Sequence, residues 1–80
     1  MQNIKDLITI DPDTMGGQPV FKGTRVPVET LFDHLEDGVS LDDFLEDFET
    51  VSKNQAIGVM EIASKLLSSA KISELYASVA

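Results

Sequence analysis

Eighty residues allow one folded domain, and with no cysteine and a single histidine neither disulfides nor a thiolate or His-rich metal site can reinforce its small core. A hydrophobic fraction of 42% excludes whole-chain disorder, and no apolar run approaches the roughly 18 residues of a membrane span. The formal net charge of −8 disfavours non-specific binding to a phosphate backbone.

The N-terminus has no basic segment leading into an apolar stretch, so no signal peptide is expected and the cytoplasm is the expected compartment. Ile8-Thr9-Ile10 is β-branched and alternating, and it stops at Asp11-Pro12, which reads as an edge strand. Residues 11–19 hold two prolines and Gly16-Gly17 and form a loop. Val20-Phe21-Lys22 reads as a second short strand closed by Gly23-Thr24. Arg25-Val26 must then be extended, because Pro27 steers its predecessor away from the helical region.

From residue 28 the period changes. Val28, Leu31, Phe32 and Leu35 share one helical face, and Gly38 supplies a left-handed cap. Ser40-Leu41-Asp42-Asp43 is a capping box, flanked by Val39 and Phe44 at the hydrophobic-staple positions. It opens a second helix, with Leu41, Phe44, Leu45 and Phe48 on its apolar face. Ser52-Lys53-Asn54-Gln55 is another capping box and opens a third. There Ala56, Val59, Met60, Ile62, Ala63, Leu66 and Leu67 span an apolar arc of about 160°. Ser68-Ser69 loosens this helix, after which Ile72, Leu75, Tyr76 and Val79 resume helical spacing in a C-terminal extension over 69–80. A stretch of about ten residues is too short to persist as a lone helix, so that stripe must dock on its own core, a second copy or a partner.

Charge is unevenly placed. Residues 28–50 carry nine carboxylates and no lysine or arginine, which makes either a solvated helical surface or a docking face for a basic protein. The second helix, a turn around Glu49–Val51 and the third helix have helix–turn–helix spacing. In that motif the start of the later helix reads base edges, which here means Ser52, Lys53, Asn54 and Gln55. Asn and Gln can pair bidentately with adenine and Lys can hold phosphate, while Gly58 on the same polar face would permit close approach. The alternative is that Ser52 and Gln55 merely cap the helix.

Catalysis finds little support: the carboxylates lie on helix faces, with no paired histidine, cysteine or phosphate-binding loop. Asp11 and Asp13 suit an Asx-type turn around Pro12 better than a metal. His34, at the margin of an apolar face, reads as a half-exposed structural residue. Gly16-Gly17 is at most a weak anion nest. Arg25, held between a tight turn and Pro27, is expected to tie the hairpin to the acidic first helix or to Asp11 or Asp13; a phosphate or partner contact is the alternative.

The run Ile10-Asp11-Pro12, followed by Gly17-Gln18-Pro19-Val20-Phe21-Lys22-Gly23-Thr24-Arg25-Val26-Pro27-Val28, resembles the bacterial domain-of-unknown-function family four-three-three. The likeness extends through Gly38-Val39-Ser40 to Ala63 and covers about residues 8–67, with Gly-Thr-Arg-x-Pro-Val as its most specific string. It marks Asp11, Pro12, Gly17, Pro19, Gly23, Thr24, Arg25 and Pro27 as motif positions with structural work. It implies a mainly α fold: a short N-terminal β-hairpin, then a three-helix homeodomain-like or winged-helix-like helix–turn–helix core over 1–68. Members are commonly classed as antitoxins encoded beside PIN-like ribonuclease toxins.

The expectation is an antitoxin-like protein, not an enzyme, with no cofactor, metal, membrane or small-molecule substrate. A PIN-like nuclease and operator DNA are its candidate partners, and Ile72, Leu75, Tyr76 and Val79 are the candidate partner contacts. Unpaired edges at Ile8–Ile10 and Val20–Lys22 and a marginal core predict a homodimer. The competing reading is an interaction or scaffold domain without DNA binding.

Overall fold

The computed structural model describes residues 3–79. The Asn3 side chain accepts a hydrogen bond from the Lys5 N–H at 3.0 Å and caps a single helical turn, α1 (Ile4–Leu7), which buries Leu7. One turn is too short to leave a periodic signature in the sequence. β1 (Ile8–Thr9) follows directly and pairs antiparallel with β2 (Val20–Phe21), Ile8 opposite Phe21 and Thr9 opposite Val20. Both strands are a residue shorter than expected. Ile10 runs into the Asp11-Pro12 turn, and Lys22 already belongs to the turn at Gly23, whose φ is +79°.

β2 is closed on both sides, which corrects the expectation of an unpaired edge there. Its far side is taken by the chain returning toward the first long helix: the Phe21 N–H donates to the Val26 carbonyl and the Val28 N–H to the Pro19 carbonyl, both at 3.0 Å. A bridge between Val20 and Pro27 lies between these bonds. β1 is blunted as well, because the Ile8 N–H donates to the Ile4 carbonyl and ends α1.

Three helices then appear where periodicity and caps place them. α2 (Val28–Glu36) starts from Pro27 in extended geometry and is followed by Gly38 at φ +83°, with the Val39 N–H returning to the His34 carbonyl at 2.9 Å. α3 (Leu41–Asp47) is capped by Ser40, whose Oγ accepts from the Asp43 N–H at 3.1 Å; Asp43 does not complete the box. α4 (Lys53–Leu67) has the complete box, Ser52 Oγ accepting from the Gln55 N–H and Gln55 Oε1 from the Ser52 N–H. A fourth, α5 (Ala70–Ser78), follows after Ser68-Ser69.

The core draws on α1, β2, α2, α3, α4 and the turn before α4, with Ile8 of β1 packed against it. Leu7, Val20, Phe21, Leu31, Phe44, Val51, Ala56 and Val59 are buried. Phe44 is its centre, with its ring 6.4 Å from Phe21 and stacked on Phe48 at 4.8 Å. His34 presents its edge to Phe44 and Phe48 at 5.4 and 5.3 Å, and its Nδ1 lies 2.7 Å from the Thr30 carbonyl. It is the half-buried structural residue expected. The aromatic cluster thus locks α2 to α3 with a polar group that has a local partner.

The expected apolar arc of α4 is only partly core. Ala56 and Val59 are buried and Ile62 and Ala63 half-buried, but Met60, Leu66 and Leu67 are exposed. The core is filled by the time the helix reaches Ile62, so its last turn projects beyond the body.

Candidate functional site

α3, the turn at residues 48–52 and α4 form the expected helix–turn–helix segment, and the turn is closed by the Val51 N–H donating to the Phe48 carbonyl at 3.0 Å. At the start of α4 the four candidate base-reading residues fall into two kinds. Ser52 and Gln55 are occupied by each other through the capping box. Gln55 is further committed, since its Nε2 donates to the Lys22 carbonyl at 2.9 Å. Both ends of its amide are therefore engaged, and bidentate pairing with adenine would require breaking them.

Lys53 and Asn54 are exposed and take no part in the capping box. Lys53 Nζ lies 3.9 Å from Asp42 Oδ1, a loose contact between two solvent-exposed side chains. The helix before the turn therefore presents a carboxylate where a DNA-binding module would need positive charge. Gly58 is buried rather than on an open polar face, which corrects its expected role as a site of close approach to DNA. Glycine adds nothing to an apolar pattern, so its side of the helix is invisible to periodicity.

The motif string around residues 11–27 is tied together by its own backbone. Asp11 Oδ1 accepts from the Asp13 N–H at 2.9 Å and the Asp11 carbonyl from the Thr14 N–H at 2.9 Å, an Asx turn built over Pro12. Gly17 sits in the 3-10 turn Met15–Gly17, and the Pro19 carbonyl holds the start of α2. Thr24 Oγ1 donates to the Phe21 carbonyl at 2.8 Å and accepts from the Val26 N–H at 3.0 Å, so the hydroxyl staples the turn shut. Arg25 is exposed and, among the described residues, makes no ion pair. This corrects the expected tie to Asp11, Asp13 or the acidic helix. The turn is held by Thr24, and the guanidinium is left to solvent.

The C-terminal candidates contribute nothing to the buried core. No side chain of α5 is buried; Leu75, Tyr76 and Val79 are 55%, 84% and 80% exposed, and Ile72 is half-buried. Leu66 and Leu67 at the end of α4 are exposed as well, at 62% and 65%. α5 meets the rest of the chain at α4 and adds no buried side chain to the core.

One feature escapes sequence reading. Gln18 Nε2 donates to Glu29 Oε2 at 3.2 Å and joins the loop to α2 beside a groove that Pro19, Val28 and Phe32 also line. The spacing of Glu29, Asp33 and Glu36 places three carboxylates along one side of α2, but it carries no sign of the loop residue that joins them. Among the described residues no group of three His, Asp or Glu side chains comes together as a metal site, and no helix is long and apolar enough to cross a membrane.

No curated protein and no solved structure matches this chain. The model of one family, described as Protein of unknown function (DUF433), matches residues 8–63, from β1 into α4. That span includes the Asx turn, the Thr24 staple and the helix–turn–helix segment as far as Ala63, and it stops short of α5. The chain belongs to this family of proteins of unknown function, DUF433.

Proposed function

We propose that this chain is an antitoxin-like protein that acts by binding another protein, a PIN-like ribonuclease, through α5 and the end of α4. One observation carries the reading: α5 is nine residues long, buries none of them, and exposes Leu75 and Tyr76, with Val79 exposed just after it. A helix of that length gains its stability from packing, and an exposed apolar surface of this kind marks a contact with another chain. The acidic stretch over 28–50 would speed encounter with a basic partner.

The test is direct. The chain is co-expressed with a PIN-like ribonuclease, and RNA cleavage is measured as the chain is added back to the purified nuclease. Stoichiometric inhibition that is lost on truncation after Ser69 supports the reading. Full cleavage at saturating chain refutes it.

Operator DNA is a second reading, and the helix–turn–helix segment with Lys53 and Asn54 exposed at the start of α4 favours it. The nearby acidic surface and the engaged amide of Gln55 weigh against it. A salt-dependent mobility shift with DNA from upstream of the gene would separate the two.

A further inference from the structure

Between the Gln18–Pro19 segment and α2 runs an open groove of about 380 Å³. Its apolar lining is Pro19, Val28 and Phe32; the last two also pack against the core, so their positions are fixed. The rest is acidic: Glu29, Asp33 and Glu36 recur about one helical turn apart on one side of α2. Gln18 holds the first of these carboxylates in place through the 3.2 Å bond to Glu29. Among the described residues none of the three has an ion-pair partner. Like charges at this spacing repel, and Glu36 in the last turn also opposes the helix dipole. A cation from outside the chain would relieve both costs.

The lining selects the cation. The three carboxylates do not converge as a metal cage, and a nucleic acid is repelled by their sign. A half-buried phenylalanine flanked by carboxylates suits a planar cation that can stack on a ring while donating in its own plane. We propose that this groove binds an arginine-bearing segment of a basic protein partner, with the guanidinium against Phe32 and shared between Asp33 and its neighbouring glutamates. The proposal rests on the protein-partner reading above and adds to it a second contact, on the body of the molecule.

The full 15N-labelled chain is titrated with three synthetic hexapeptides that alternate leucine with arginine, lysine or citrulline. The arginine peptide should shift the amide resonances of Gln18 and residues 28–36 saturably. It should bind at least about threefold more tightly than the lysine peptide, through the ring and the fork, and the citrulline peptide should not bind. Asp33→Asn with Glu36→Gln should weaken it about tenfold. Phe32→Leu, which keeps an apolar group in the core, should abolish the preference for arginine over lysine. Shifts centred on residues 41–50 instead, equal binding of all three peptides, or indifference to the α2 substitutions would overturn the proposal. The peptides report on the groove alone, so their failure leaves the nuclease assay intact, and failure of that assay leaves the peptide result standing.

Discussion

The Gln55 side chain reaches from the first turn of α4 to the Lys22 carbonyl, 2.9 Å away, and fastens the helix–turn–helix segment to the turn after β2. The same amide closes the capping box on Ser52. Gln55→Ala removes both bonds, and the expected cost is about 1–2 kcal/mol, at the lower end because solvent reaches the site. Asn54→Ala should change stability by less than about 0.5 kcal/mol. Urea unfolding of the two variants makes the comparison; equal midpoints would show that the tether contributes nothing.

A sharper contrast is expected within the turn itself. Thr24→Val keeps the shape of the side chain but removes the hydroxyl that bonds Phe21 and Val26. Losing two partly buried hydrogen bonds should cost about 1–3 kcal/mol. Arg25→Ala, one residue on, should lie within about 0.5 kcal/mol of the parent. The opposite ranking in thermal melts would return the structural role to the guanidinium.

Phe44 is fully buried between Phe21, His34 and Phe48. Phe44→Ala should cost about 3–5 kcal/mol through lost contacts and the cavity left behind. A domain of this size holds on the order of 4–12 kcal/mol in total, so that variant should be partly unfolded at 37 °C. Phe44→Leu should remain folded with a lower midpoint. Far-UV circular dichroism on both variants decides; a native-like Phe44→Ala spectrum up to the parent's melting temperature would show the core is centred elsewhere.

Removal of α5 should leave the body almost untouched. Truncation after Ser69 deletes no buried side chain, so the unfolding free energy should move by less than about 0.5 kcal/mol. Self-association should respond instead. Sedimentation at micromolar concentration is expected to give twice the single-chain mass for the full protein and the single-chain mass for the truncation. One single-chain mass for both proteins would remove the homodimer.

For DNA the expectation is narrower than residue type alone would make it. Lys53→Ala with Asn54→Ala should abolish any operator shift while the protein stays helical, because these two are exposed and take no part in the capping box. An unchanged shift would place the contact outside α4.

Much of this architecture was legible in the chain because caps and periods agreed. Ser52 and Gln55 announced the start of α4, and the apolar spacing of Val28, Leu31, Phe32 and Leu35 defined α2. The missed features are those that periodicity cannot carry. α1 is one turn long, and it packs against α4, covering part of a helix that a three-helix reading leaves open. Gly58 carries no side chain to count. Leu66 and Leu67 fit an apolar arc in sequence, yet a pattern cannot tell how far along a helix the core extends. The Gln18–Glu29 bond spans loop and helix, and no local rule anticipates such a pairing. The expected tie of Arg25 failed for a related reason: Thr24 holds the turn first.

The independence of α5 from the core has a consequence for specificity. Residues that no interior constrains can be exchanged without a folding penalty, so the choice of partner can change in α5 while the body keeps its sequence. Two such proteins sharing one body could ignore each other's partners, and transplanting residues 70–79 between them should carry the preference across.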